Sequence, residues 1–225
     1  MSLSVEVISD VICPWCFIGK RRLEKALNGR HATVRWHAFQ LNPDLPREGI
    51  DRRAYRTRKF GSWERSLELD AQVAAAGRGE GIAFNFDRMA RTPNTLDAHR
   101  IIWLAGERGV QDAVVEALFL AYFTDGRDLS DRVTLAEIAA GAGLDRAEVD
   151  ELLAGAAGLE AVCAGEHEAR RLGVSGVPFF VVNGQVALSG AQPPELFLRA
   201  FEQAGEAVVA GDACEVDPTT GKREC

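Results

Sequence analysis

Apolar positions along this chain change their period twice. Leu3-Ser4-Val5-Glu6-Val7-Ile8 alternates and then closes on an apolar pair, the pattern of a buried strand. After Ser9-Asp10 comes Val11-Ile12-Cys13-Pro14-Trp15-Cys16. Pro14 suits a first helical position, where a missing N–H costs nothing. The helix it opens carries Phe17, Leu23 and Leu27 and stops at Asn28-Gly29. Thr33 to Gln40 reads as a second strand. A strand–helix–strand unit of this length predicts two parallel strands with a right-handed crossover.

Asn42 to Arg53 is polar and Pro-rich and reads as a connector. From about Tyr55 to Leu172 the period is helical throughout. Ser62 can cap a helix ending near Gly77, and Asn94 a helix carrying Leu96, Ile101, Ile102 and Leu104 as far as Gly106 or Gly109. Further helices are expected from Gln111 to about Thr124 and from Leu159 to Leu172. Thr134-Leu135-Ala136-Glu137 and Asp145-Arg146-Ala147-Glu148 both have capping-box spacing. The strand pattern then returns. Val177 to Val182 and Gln185 to Ser189 flank Asn183-Gly184, a strong hairpin signal. A helix from about Pro194 to Ala204 follows, and then a polar tail. The expected class is α/β. One discontinuous domain, 1–54 and 173–210, encloses a helical insertion, 55–172, and a cysteine-bearing tail spans 211–225.

The chain has 225 residues, which suits one domain with an insertion, since single cores stop growing near ~250–300 residues. Hydrophobic residues are 47% and charged residues 26%, a globular balance that excludes a largely disordered chain. A net charge of −7 argues against a nucleic-acid partner. Met1 to Glu6 lacks the basic and apolar regions of a secretion signal, and no apolar run approaches the ~20 residues that span a bilayer. A soluble, cytoplasmic protein without membrane contacts is expected. In that compartment structural disulfides are rare, and five cysteines, an odd count, form no disulfide scaffold.

Cys13-Pro14-Trp15-Cys16 is the sharpest chemical feature. A thiol–disulfide centre needs an exposed sulfur with an available thiolate and a partner within reach. At a helix N-terminus, free N–H groups and the positive end of the dipole stabilise a thiolate. Cys16 lies one turn on, so the two sulfurs can close a small ring, Cys13 attacking and Cys16 resolving the mixed disulfide. Zinc ligation would need a second close ligand pair, which the chain lacks. Two inert core thiols fit poorly with a proline at the helix start. Val177-Pro178 is the second element, because proline at a strand start marks an edge or a cis bond.

A cis-proline loop facing a Cys-x-x-Cys helix resembles the thioredoxin superfamily, and here its DsbA-like branch with a large all-helical insertion. The likeness is to FrnE-type proteins and the related 2-hydroxychromene-2-carboxylate isomerases. It rests on Asp10 with Cys13-Pro14-Trp15-Cys16, on Phe39-Gln40-Leu41-Asn42-Pro43, and on Asn94-Thr95-Leu96-Asp97-Ala98-His99-Arg100. Gly173 to Phe180 and Ser189-Gly190-Ala191-Gln192 complete it. The resemblance implies a protein disulfide oxidoreductase or isomerase with Cys13 as nucleophile, Cys16 as resolving thiol and Pro178 in cis. Backbone at Val177 would pair with an extended peptide or with glutathione. The isomerase relatives carry serine where this chain has Cys13, so dithiol chemistry is favoured over the alternative, a glutathione-dependent isomerase or transferase of that or the kappa type. A binding module holding zinc is a third reading. No tightly bound cofactor and no metal are expected. Glutathione is a candidate co-substrate, and proteins or small thiols and disulfides are the candidate substrates. A homodimer through the helical block would fit.

Other residues carry two readings each. Trp15 and Pro14 can form an apolar contact surface for substrate or simply cover the helix start. Asp10 can tune the thiols or relay a proton, although a loop carboxylate is the commoner role. His99 can face the site or be a boundary residue of an amphipathic helix, between its buried and exposed faces. The N–H groups after Ser189-Gly190-Ala191-Gln192 can hold a carboxylate or just cap the last helix. Lys20-Arg21-Arg22 and Arg52-Arg53 read as solvated faces that could attract an acidic client. Cys163 reads as a small core residue. Cys214 and Cys225 are either a second redox pair or two unrelated tail thiols.

Overall fold

The computed structural model describes residues 3–211, with side chains to residue 205. β1 (Leu3–Ser9), α1 (Pro14–Leu27) and β2 (Ala32–Ala38) form the expected crossover unit, β2 lying parallel to β1 with Val5 opposite Val34. The connector is more ordered than its composition predicts. It ends in a two-residue strand, β3 (Ile50–Asp51), directly followed by α2 (Arg52–Phe60) and α3 (Trp63–Gly79). β4 (Arg91–Thr92) pairs antiparallel with β3, Ile50 opposite Thr92. Then come α4 (Leu96–Glu107), α5 (Gln111–Phe123), α6 (Arg132–Gly141), α7 (Arg146–Ala154) and α8 (Leu159–Arg171). β5 (Phe179–Val182), β6 (Val186–Ser189) and α9 (Pro194–Gly211) close the chain.

The main sheet runs β2-β1-β5-β6, with β1 antiparallel to β5 and β5 to β6. Asn183 and Gly184, both at positive φ, make the hairpin turn between β5 and β6. Period-two alternation sorts the side chains of β5. Phe180 and Val182 are fully buried in the main core, and the Phe180 ring meets Phe197 of α9 edge-on at 4.8 Å. Phe179 and Val181 turn the other way, against a smaller cluster of Ile8, Phe39, Ala169 and Val174. Covering both faces makes β1 a buried central strand.

Phe17, the residue after Cys16, joins the helical block to the sheet. Its ring stacks on Phe119 of α5 at 5.0 Å and meets Phe84 at 6.0 Å. Such a ring buries some 150–250 Å² and fixes the helix carrying it. The N-terminus of α1 is therefore held from both sides, by α5 and by β5.

Helix starts follow the expected chemistry with two shifts. Ser62 accepts from Arg65 N and Asp145 from Glu148 N as expected. At α4 the cap is Thr95 rather than Asn94, and Asn94, one residue before it, accepts from Leu96 N. At α6 the cap is Asp131, which takes the N–H groups of Val133 and Thr134, so Thr134 lies inside the helix. A carboxylate three residues upstream simply reaches the helix start first. Among the described residues, no helix is long and apolar enough to cross a membrane.

Candidate thiol site

Cys13 is the N-cap of α1, extended at φ −91° and ψ 111°, with Pro14 at the first helical position. Its N–H donates to Asp10 O at 3.0 Å, and its carbonyl accepts from Cys16 N at 3.0 Å. These two bonds tighten the loop and set Cys16 one turn above Cys13. Both residues are more enclosed than the sequence argument required, at 5% and 1% exposure. Burial and the neighbouring Cys13 thiol push the Cys16 thiol well above its ordinary range; the Ser9 hydroxyl and the Asp10 backbone N–H oppose this and are outweighed.

The Cys13 thiol donates to Val177 O at 3.6 Å, and the Val177–Pro178 peptide is cis. Gly190 N donates to Pro178 O at 2.8 Å, which ties this loop to the end of β6. Gly19 in α1 makes the approach possible. A Cβ there would stand 3.1 Å from Pro178 Cγ and 3.0 Å from Phe180 Cζ. The thiol pair and the Val-Pro loop, 164 positions apart, thus meet through a helix face stripped of its side chain.

Beside Cys13 lies a cavity of about 400 Å³, lined by Pro14 and Trp15 from α1, Leu41 and Asn42 from the connector, and residues of α2, α3 and α5. Trp15 is 42% exposed at its rim. The lining from α2 is basic. Arg52, Arg56 and Lys59 follow helical spacing onto one face, with Tyr55 between them. Arg52 donates to Asp70 at 2.6 Å and Arg56 to the other oxygen of the same carboxylate at 2.7 Å. Two guanidiniums share one acid, so the wall keeps a surplus of positive charge. Burial and the charge of Arg52 together lower Arg56 from its usual range despite Asp70. Tyr55 donates to Asn42 Oδ1 and accepts from Lys59 Nζ, linking the connector to the basic wall.

Behind the thiols, Asp10 is completely buried. Its Oδ2 accepts from Leu41 N at 2.7 Å; its Oδ1 stands 3.5 Å from Ile12 N and 3.4 Å from His99 Nε2. The His99 contact lacks hydrogen-bond geometry, and Nε2 is a buried atom without a partner. His99 lines a second cavity of about 470 Å³ between β2, α4 and α8, which shares no lining residue with the first.

Several expectations need correction. His99 is no boundary residue, at 3% exposure. Arg52 and Lys20 are not solvated; they are 4% and 2% exposed. Lys20 sits among Glu24, Asp112 and Glu116, and Arg22 donates to Glu80 and to Ala191 O. Cys163 is exposed on α8, because the buried stripe of that helix is Val162, Glu166 and Ala169. Cys214 and Cys225 lie outside the described residues. The sequence reading missed Tyr55, Arg56, Lys59 and Asp70 altogether. The available signal was the spacing of Arg52, Arg56 and Lys59 along α2. Among the described residues, no three His, Cys, Asp or Glu side chains converge to hold a metal ion.

Comparison with known proteins places this geometry. Over 99% of both chains it superposes, at TM-score 0.83 and 36% identity, on the crystal structure of a probable DsbA oxidoreductase from Streptomyces coelicolor. A 2-hydroxychromene-2-carboxylate isomerase structure matches at TM-score 0.67 and 19% identity, covering 93% of this chain and 98% of its own. The cytosolic disulfide reductase DsbM of Pseudomonas aeruginosa, solved with GSH, matches at 0.60 and 20%, covering 92% and 98%. At such identities these two show the shared fold alone. A sequence profile of the DSBA-like thioredoxin domain matches residues 4–202, and the chain belongs to that family.

Proposed function

We propose that this protein is a thiol–disulfide oxidoreductase of the FrnE type, working through Cys13 and Cys16. One observation carries the reading: a cysteine caps α1 at the edge of a cavity, its sulfur within 3.6 Å of Val177 O, with a second thiol one turn behind it. The Cys13 thiolate attacks a substrate disulfide and the first substrate thiolate leaves. Cys16 then loses its proton and attacks the Cys13 sulfur, releasing the second thiolate and closing the Cys13–Cys16 disulfide. The dithiol is oxidised by two electrons and the substrate disulfide is reduced by two. Raising Cys16 keeps it protonated until the mixed disulfide exists, which divides the roles of two adjacent thiols. The backbone of Val177 and Pro178 lies where an extended substrate would pair, and Trp15 supplies an apolar contact.

The basic wall favours a substrate or co-substrate with carboxylates beside its sulfur, and glutathione is such a thiol. A volume of about 400 Å³ lies within the range of small-ligand pockets. The same wall supports the second reading, a glutathione-dependent isomerase or transferase. That reading requires turnover to survive Cys16→Ser.

The test is insulin-disulfide reduction and scrambled-substrate refolding with the parent protein, Cys13→Ser and Cys16→Ser. Cys13→Ser abolishes turnover, and Cys16→Ser traps mixed disulfides visible by mass. Full activity in Cys13→Ser overturns the reading. Glutathione-dependent turnover of an aryl substrate by Cys16→Ser shifts it to the second.

A further inference from the structure

The cavity beside Cys13 gathers positive charge in a chain whose net charge is −7. Its charged lining is Arg52, Arg56 and Lys59 against one carboxylate, Asp70. Tyr122 also lines it and is neutral, because burial raises its hydroxyl far above the usual range. Two positive charges are therefore left without a counter-charge in the lining. Arg52 is the most enclosed of the three cations, at 4% exposure, yet among the described residues its side chain makes a single hydrogen bond, from Nη2 to Asp70. Its Nε and Nη1 donate to nothing, and neither is sealed from solvent, so both open onto the cavity. Arg56 uses Nε on Ser66 Oγ and Nη2 on Asp70 and Ser66 O, which leaves Nη1 over. Lys59 donates once, to Tyr55. Positions 52, 56 and 59 share one face of α2, so the unused donors converge on one space.

Water can accept from such donors but cannot neutralise them. A buried cation without a counter-charge is costly to hold, and Asp70 is already shared by two. The Trp63 and Phe86 rings, 5.8 and 5.5 Å from Arg52 Cζ, keep the guanidinium in place without adding net charge. One carboxylate in the cavity would match one of the two charges. A dianion matches both, and the planar forks of two arginines suit the oxygens of a phosphate.

We propose that this cavity is a phosphate subsite, which holds the dianionic phosphate of a small phosphorylated disulfide while its sulfur lies at Cys13. The sulfur chemistry rests on the dithiol reading above, whereas the anion site rests on α2 and α3 alone. Cys13, Trp15 and the three cations line one space of about 400 Å³, the size of a small-molecule site. Phosphate and sulfur of one molecule therefore fit it together.

The experiment compares three disulfides of one skeleton: bis(2-hydroxyethyl), bis(2-carboxyethyl) and bis(2-phosphooxyethyl) disulfide. Each reacts in a single turnover with the fully reduced chain, Cys163, Cys214 and Cys225 being replaced by serine. Cys13 thiolate attacks one sulfur, the substrate S–S bond breaks, and one substituted ethanethiolate leaves. Cys16 loses its proton to solvent and attacks the Cys13 sulfur, and the second ethanethiolate leaves. The dithiol loses two electrons and the disulfide gains two. The hydroxyl form sets the rate without charge. At about pH 7.5 the phosphate form should react about tenfold faster than the carboxylate form, the worth of one further charge-assisted hydrogen bond. That ratio should fall toward one at about pH 5, where a phosphate monoester, with its second pKa near ~6, is a monoanion like the carboxylate. Arg56→Gln and Lys59→Gln should each lower the ratio, and together they should remove it. Lys59→Gln, at an exposed position, carries the test where Arg56→Gln fails to fold. Separately, inorganic phosphate titrated calorimetrically into Cys13→Ser, with chloride holding the ionic strength constant, should fill one saturable site that the two substitutions abolish.

Equal rates for the phosphate and carboxylate forms overturn the phosphate subsite. So does a preference that persists at low pH, a preference that the variants keep, or a Cys13→Ser protein that binds no phosphate. A parent protein that reacts with none of the three disulfides strikes the dithiol reading instead, and the phosphate titration then decides the anion site by itself.

Discussion

Two regions of the helical block each bury an arginine, and they use it differently. At the junction of α4 with α7, Arg100 is 1% exposed and all three nitrogens of its guanidinium donate, in four hydrogen bonds. It donates to Ala157 O at 2.8 Å, to Gly155 O at 2.8 Å, to Leu152 O and to Asp97. Those carbonyls end α7, which has no basic residue in its last turn. At the junction of α2 with α3, Arg52 is 4% exposed and shares the single carboxylate of Asp70 with Arg56. It lies over the Trp63 and Phe86 rings and lines the cavity beside Cys13. One arginine is saturated by backbone and closes a helix. The other is left with surplus charge facing a hole. Burial alone does not separate structural from functional charge; what separates them is whether the donors are used up.

The largest expected effect follows from breaking the saturated case. Arg100→Met leaves the carbonyls of Leu152, Gly155 and Ala157 without their donor in a buried setting. Each lost partner costs on the order of 1–3 kcal/mol, so the variant should lose about 3–5 kcal/mol in urea unfolding. Thiol exchange by the folded fraction should stay at the parent rate. A variant as stable as the parent would show that Arg100 is not what ends α7.

The unsaturated case should give less. Arg52→Met leaves Asp70 paired with Arg56, so the stability loss should be roughly 1–3 kcal/mol. Its mark should be on catalysis: kcat/KM should fall severalfold for a disulfide bearing carboxylates and hold for a neutral one of similar size. Equal losses on both substrates would make Arg52 as structural as Arg100.

These two arginines also separate what is legible in the sequence from what is not. The strand–helix–strand unit, the hairpin at Asn183-Gly184, the thiol pair and the Val-Pro loop all rest on local signals: period, Pro at a helix start, turn residues. Arg52 was invisible because its burial depends on β3 pairing with β4, a contact 40 residues long in sequence and two residues long in space. Nothing local to Ile50-Asp51 announces it. His99 was misplaced for the same reason, since its burial depends on a carboxylate 89 positions earlier in the chain. Cys163 failed on composition: a small thiol reads as core, yet Val162, Glu166 and Ala169 already occupy the inward stripe. A buried glutamate in that stripe is what hydropathy cannot anticipate, because its carboxylate is met by Gln40, 126 positions earlier, as well as by Arg170 one turn on in α8.

The same question of unmet partners applies to Cys16. Its folded-state thiol is raised by burial and by Cys13, so the native reduced protein holds that proton more tightly than the unfolded chain. A raised group contributes fully below its unfolded value, near ~8.5 for cysteine, and its contribution is lost as pH rises beyond it. The reduced protein should therefore lose stability above about pH 8.5, by at most about 1.4 kcal/mol per pH unit. The Cys13–Cys16 disulfide form and Cys16→Ser should lack this slope. Chemical denaturation of the three forms between pH 7 and pH 10 gives the comparison, and parallel curves would remove Cys16 from the account.

The smallest effect sharpens the contrast most. Lys59 is exposed, so Lys59→Gln should leave stability within about 0.5 kcal/mol of the parent. It nevertheless stands on the wall of the cavity beside Cys13, donating to Tyr55, which in turn holds Asn42. If the wall works through surplus charge, removing one exposed cation should weaken the encounter with an anionic disulfide about two- to fivefold at low salt. The difference from the parent should shrink as ionic strength rises, because a charge at the rim is screened over about 10 Å at 0.1 M salt. A neutral disulfide should show neither effect. A salt-independent loss would instead mean that Lys59 matters through Tyr55 and Asn42, as a support for the connector. Charge and support are thus separable at Lys59 by salt alone, whereas at Arg52, where burial mixes the two, they are separable only by changing the substrate.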